Sequence, residues 1–192
     1  MPVIGFDFDY WRLRLLAATL LVLGRNRAAE DVFCEMLQRW PHDAHLLASR
    51  AHVRAQIGQR DGAIADLKYL VRLFPRCSAG DWFNLAFLLE SAGRLDEAEG
   101  AFRQAIALDP KLDRAWYGLG LTLIRLHRFD EAAGALERNT ELQPMSPYGW
   151  YQLARTHVDR REPEEARRII RHLHGFEPGI AAQLERETGL TP

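Results

Sequence analysis

The chain has 192 residues, of which 47% are hydrophobic and 27% charged, and its formal net charge is −1. That balance supplies enough apolar side chains for a continuous core and gives no global field to draw in nucleic acid or an anionic membrane. Of the 25 basic residues 23 are arginine, which reads either as compositional bias or as a capacity for anion recognition. The two cysteines, Cys34 and Cys77, form no CxxC pair, so they fit a reducing compartment and argue against a disulfide framework.

Residues 1–9 mix apolar and acidic side chains without a helical period and read as an N-terminal extension. Within them Val3, Ile4 and Gly5, followed by Phe6-Asp7-Phe8-Asp9, have the outline of the strand-DxD nucleophile motif of haloacid dehalogenase-like phosphatases. That motif wants Thr or Val where Trp11 stands, and an α/β domain behind it, so no phosphatase site is expected. Residues 15–24 form an apolar run preceded by Arg12 and Arg14, about as long as a secretory hydrophobic region. However, Asp7 and Asp9 also precede it, no small-x-small cleavage site follows before Arg25, and the run is too short to span a bilayer. It falls in phase with the repeat that follows, and a buried structural helix is expected here.

The repeat is clearest over residues 79–110. This stretch reads as two amphipathic helices broken at Ala92-Gly93-Arg94, with Trp82, Leu85 and Ala86 on the first, Ala98, Phe102 and Ala105 on the second, and Pro110 as the stop. The next unit repeats it as Trp116, Leu119, Gly120, Ala132, Leu136, Asn139 and Pro144, and the one after as Trp150, Leu153, Ala154, Ala166, Ile170, Leu173 and Pro178. Projected backwards, Pro41 and Pro75 fall in register at spacings of 34, 35, 34 and 34, with Ser78 as a one-residue insertion. Units of 10–43, 44–77, 79–112, 113–146 and 147–180 follow. Two positions in each hold only small residues, Ala17/Ala29, Ala51/Ala63, Ala86/Ala98, Gly120/Ala132 and Ala154/Ala166, as close approach of two helices requires. Gly24, Gly58 and Gly93 suit helix C-termini, whereas His127 and Arg161 hold that place in the last two units. Acidic pairs such as Asp96-Glu97 and Asp130-Glu131 then open the second helices, where they complement the helix dipole. Residues 181–192 read as a cap helix and tail, with Ile180 and Leu184 covering the last repeat and Glu185, Arg186 and Glu187 facing water.

The order Trp, Leu, small residue, then Ala, large apolar residue, Ala and Pro resembles the tetratricopeptide repeat. The match is specific in units three and four, good in five and weaker in one and two. Unit two has Leu47 for the aromatic and Arg50 where an apolar residue is expected, marking either a looser repeat or a place where something docks. The resemblance implies an all-α fold, a right-handed superhelical α-solenoid of antiparallel helix pairs with a C-terminal capping helix. It also implies a concave groove lined by first helices. Carried over position by position, the groove residues are Phe83, Asn84, Phe87, Arg114, Tyr117, Leu121, Arg125, Tyr148, Tyr151 and Arg155, with Trp11, Arg14, His45, Ser49, His52 and Gln56 in the earlier units. Equivalent positions of stacked units would place Phe83, Tyr117 and Tyr151 in a ladder, and aromatic rings suit recognition because they offer area with few rotors to freeze. The carboxylate-clamp subset of the family is disfavoured: Asn84 and Arg114 match it, but Ala48, His52 and Gly118 stand at three of its other places.

Chemistry is otherwise sparse. His42, His45 and His52 cluster in sequence but match no metal-ligand spacing. His172 and His174 read as surface positions, and neither cysteine has a basic partner in sequence that would make a reactive thiol. No catalytic site, metal or cofactor is expected. Unit two carries six positive and two negative residues, unit three the reverse tendency with three and six. The reading is a non-enzymatic cytoplasmic scaffold that binds a protein or peptide in its groove, without nucleic acid or membrane insertion. The alternative is a self-assembling structural protein using the same surfaces as a homo-oligomer.

Overall fold

The computed structural model describes residues 7–191, which hold eleven helices and no strand. They are α1 (Phe8–Val22), α2 (Asn26–Arg39), α3 (Ala44–Gln56), α4 (Arg60–Leu73), α5 (Ala79–Ser91), α6 (Leu95–Leu108), α7 (Asp113–Arg125), α8 (Phe129–Leu142), α9 (Pro147–Asp159), α10 (Pro163–His174) and α11 (Pro178–Thr188). The fold is an all-α solenoid of helix pairs. It divides into two compact bodies between Leu88 and Leu89, inside α5. In the first body α1 packs on α2, α2 on α3 and α3 on α4. In the second, each helix from α6 to α11 packs on the next, and α11 also reaches back to α9. No helix of the described residues is long and apolar enough to cross a membrane.

The repeat positions have direct physical counterparts. All nine alanines of the small pairs are at most 1% exposed, and Gly120 is buried. The large residues beside them, Leu85, Leu89, Phe102, Leu119, Leu136, Leu153 and Ile170, are core. The repeated tryptophan and proline are joined to each other: the indole N–H of Trp82, Trp116 and Trp150 donates to the carbonyl of Pro75, Pro110 and Pro144 at 3.2, 3.0 and 2.8 Å. The ring thereby pins the incoming chain while its body packs sideways. Ser78, the inserted residue, has a structural role of its own. Its hydroxyl accepts from the Asp81 backbone N–H at 3.1 Å, and the Asp81 carboxylate accepts from the Ser78 N–H at 3.2 Å, which is the reciprocal box that starts a helix.

All five turns within the helix pairs close in one way. The N–H of Arg25, Gln59, Arg94, Arg128 and Glu162 donates to the carbonyl five residues earlier, at 2.8–2.9 Å. That closure needs a left-handed residue just before the donor. Gly24, Gly58 and Gly93 supply it without strain, whereas His127 and Arg161 are forced to φ values of 57° and 61°. A side chain in that region costs about 1–2 kcal/mol, so Arg161→Gly is expected to stabilise the protein by about 1 kcal/mol in urea denaturation, despite the added freedom of its unfolded chain.

Two sequence expectations change, the first at the end of the extension, where Phe8 and Asp9 already belong to α1. The Asp7 and Asp9 pair serves α1 locally: the Asp7 carboxylate accepts from the Tyr10 N–H at 3.1 Å, and Asp9 lies 3.7 Å from Arg12 and 3.6 Å from Arg39. The rest of that motif, and residues 1–6 of the expected extension, lie outside the described residues. The second change is α1 itself. It is helical but not buried: only Leu13 and Ala17 are core, while Leu15 is 70% exposed and Val22 87%. An apolar run on all sides reads as a buried helix, but α2 covers only one side of this one.

Arg50, the other anomaly, is held by partners within the chain. Its guanidinium grips Asp66 with two hydrogen bonds of 2.9 and 2.6 Å, while Arg54 joins Asp66 at 3.0 Å and Glu30 at 2.9 Å. Cys34 sits among them, 3.6 Å from a nitrogen of each arginine. The partnership offsets the cost of burying these charges.

Candidate functional site

In the first body, α3, α4 and α5 enclose an apolar hollow of about 280 Å³. Its floor is Ala48, Ala51 and Ala55, three small residues on one face of α3, backed by Leu67 and Leu88. His52, Gln56 and Asn84 supply polar edges, and Phe87 forms one wall. Phe87 is 55% exposed, and its ring stacks on Phe83 at 6.4 Å with an angle of 21° between planes. The hollow exists because alanine truncates the α3 face opposite a large ring. His52 is fixed by Gln56 at 2.9 Å, and Gln56 also accepts from Asn26 at 3.2 Å. Of the predicted groove residues, His52, Gln56, Asn84 and Phe87 line this hollow and half-buried Phe83 adjoins it.

In the second body the predicted residues separate into three groups. Arg114, Tyr117 and Tyr148 meet at a hollow of about 190 Å³ between α7 and α9, edged by Asp113, Asn139 and Gln143. Tyr148 is 69% exposed. Tyr117 is half-buried against the core formed by Leu136, Leu153 and Ile170. Burial raises its phenol above the ordinary range, a hydrogen bond with Gln152 opposes this, and Tyr148 adds to the rise. Leu121 lies half-buried on the same helix. Arg125 turns to α5, donating to the Glu90 backbone carbonyl at 3.0 Å and pairing with its carboxylate.

The third group is Tyr151, Arg155 and a residue the sequence placed in water. The Tyr151 hydroxyl donates to Glu187 of α11 at 2.6 Å, and Arg155 lies 3.1 Å from that hydroxyl and 3.5 Å from Glu187. The Tyr151 hydrogen bond, with those of Gln183 and the charge of Arg155, holds the Glu187 carboxyl below the ordinary range. The helix α11, buried through Ala181 and Leu184, thus occupies the fifth repeat's share of the inner positions. Tyr151 and Arg155 are engaged within the chain, and no spacing rule could link residues 36 apart.

The remaining sequence candidates are local structure. His42 bonds to the Tyr69 hydroxyl at 2.9 Å, and no group of three His, Cys, Asp or Glu among the described residues could share a metal. His172 is exposed, as expected of a surface position, with its ring 4.5 Å from that of Trp150 and 5.3 Å from that of Phe176. His174 pairs with Glu185 at 2.7 Å. Burial, with Asp81 adding to it, pushes the Cys77 thiol up to about 11. A larger hollow of about 430 Å³ lies between α8, α9 and α10, but none of the predicted groove residues lines it. The alanine floor of the first hollow escaped the sequence reading; its signal was the small residues at positions 48, 51 and 55, at helical spacing on α3.

Comparison with known proteins agrees with this architecture. The tetratricopeptide repeat family model matches residues 48–113, 83–147 and 117–171, and the chain belongs to that family. A curated relative, small glutamine-rich tetratricopeptide repeat-containing protein 2 of Mycosarcoma maydis, is 30% identical over 83 residues. The match takes in 43% of this chain and only 23% of the relative's length. Among solved structures, a crystal structure of MamA superposes with a TM-score of 0.83 at 20% identity, covering 97% of this chain and 100% of that one. MamA residues 41 to end from Desulfovibrio magneticus RS-1 gives 0.80 at 17%, with 97% and 100% covered. YrrB, described as a TPR protein with an unusual peptide-binding site, gives 0.81 at 16%, with 94% and 92% covered. These likenesses show the fold. The family and fold are generally non-catalytic modules for protein interaction.

Proposed function

We propose that this chain is a non-catalytic scaffold that captures a segment of a partner protein on the inner positions of its first helices, in a cytoplasmic setting. The observation that carries the reading is the alanine-floored hollow under Phe87, a preformed apolar recess beside an exposed ring. An apolar anchor residue of the partner fills the recess and displaces its water, while His52, Gln56 and Asn84 set the register of the flanking backbone. The second hollow, with Arg114 beside Tyr117 and Tyr148, suits a segment that carries carboxylates near an aromatic or apolar residue, since the guanidinium fork matches a carboxylate. Arg125, Tyr151 and Arg155 enter this reading only as supports, because Glu90 and Glu187 already hold them. The peptide-binding site named for YrrB supports a peptide as the ligand class.

The test separates contact from filling. Phe87→Ala removes the wall, and Ala55→Leu fills the recess without removing a group. Both are expected to weaken binding of peptides selected on the wild type from a displayed random library by at least tenfold, with helicity by circular dichroism unchanged. Binding as tight as the wild type's by both variants would overturn the reading.

A further inference from the structure

The exposed face of α1 repeats every seven residues. Phe8, Leu15 and Val22 lie on one line at 68%, 70% and 87% exposure, and Trp11 at 48% and Ala18 on the next. Apolar residues at the first and fourth places of successive heptads are the seam by which one helix packs along another, and α2 already packs on α1, whose buried Leu13 and Ala17 lie on the opposite side. Aromatic side chains bury roughly 150–250 Å² each and aliphatic ones less. At these exposures the seam comes to on the order of 500–600 Å², short of the roughly 800 Å² per partner of a standard interface and in the range of a weak, concentration-dependent one.

We infer that this face is the interface between two copies of the chain, with the two α1 helices side by side and antiparallel about a two-fold axis. The helix dipole selects the direction. Asp9 is held by Arg12 and Arg39 within the chain, so the pairing rests on the seam and not on opposed charges. Antiparallel pairing opposes the two helix dipoles, whereas parallel pairing aligns them. The same seam in a second copy fits itself, as a two-fold interface requires. This surface is independent of the recess under Phe87, and Phe87→Ala leaves it intact.

Leu15 is the midpoint of the fifteen-residue helix, so it meets Leu15 of the second copy, while the two Phe8 residues stand about 21 Å apart at 1.5 Å per residue. Under mild oxidation Leu15→Cys is expected to form a covalent dimer well above the wild-type background, and Phe8→Cys none above it. Sedimentation of the wild type should show a concentration-dependent dimer, with dissociation raised at least tenfold in Leu15→Glu while helicity is retained. A wild type that stays monomeric at every concentration, or Phe8→Cys dimers as abundant as those of Leu15→Cys, would overturn the inference. So would a monomer that floats with vesicles of phosphatidylcholine and phosphatidylserine and loses them on Leu15→Glu, which would make the face a membrane contact instead.

Discussion

Gly120→Leu is expected to destabilise the second body by about 3 kcal/mol or more, read as a lower urea midpoint at 222 nm. A single added Cβ at Gly120 would stand 2.7 and 2.8 Å from side-chain carbons of Leu136, and Leu136 is fully buried. The further three carbons of leucine have no space between α7 and α8, so the helices must part or Leu136 must leave its rotamer. Helix propensity works the other way, since replacing a mid-helix glycine recovers up to about 1 kcal/mol, but the packing loss exceeds it. A matched control isolates the two effects. Gly134 lies on α8 with nothing within 4 Å of its would-be Cβ, so Gly134→Ala is expected to stabilise by about 0.5–1 kcal/mol. Opposite signs for two helical glycines would establish that the small position is a demand of packing. Equal, near-zero effects would mean that α7 and α8 do not approach as described.

Asp66→Ala is expected to cost about 3–5 kcal/mol in the first body. The Asp66 side chain is 6% exposed and balances Arg50 and Arg54, both 18% exposed. Removing it leaves two guanidiniums in a site they cannot leave without dragging α3 outward. Glu30 alone remains, bound to Arg54. Replacing Arg50, Arg54 and Asp66 together by Met, Met and Leu should cost far less than Asp66→Ala, because the pair attraction roughly offsets desolvation when both are present. The network also has a signature in acid. Burial alone would raise the Glu30 carboxyl, but the hydrogen bond and charge of Arg54, with hydrogen bonds from Cys34 and Gln59, outweigh it and hold it below its usual 4.5. A lowered carboxylate adds stability that is complete above the unfolded value and is lost as pH falls through the folded one. Glu30→Gln should therefore flatten the decline in stability below about pH 4.5, leaving the neutral-pH slope unchanged.

Much of the candidate site was legible in the sequence at the level of position. Asn84 and Phe87 flank one recess, and Arg114, Tyr117 and Tyr148 share another. What the residues do there was less legible. Tyr117 is also half-buried against the core, and Tyr151, Arg155 and Arg125 face acidic partners supplied by α11 and α5. A repeat register says that a side chain leaves the first helix on its inner side. It carries no information on whether another part of the chain already waits there.

The helix pairs, their small contact positions and their turns follow from local pattern, because a thirty-four-residue period records which residues share a helix face and where the chain must reverse. Even the weak turns obey it: His127 and Arg161 take the left-handed conformation that glycine takes elsewhere, since the closing hydrogen bond leaves no other choice. Partnership across the fold is a different kind of information. Arg50 with Asp66, Arg54 with Glu30 and Tyr151 with Glu187 join residues 16, 24 and 36 apart, and whether α1 was buried depended on how many helices pack against it. Periodicity orders the faces of each helix, but only the packed neighbours decide which charge is neutralised, which ring stays open and which apolar face is left exposed.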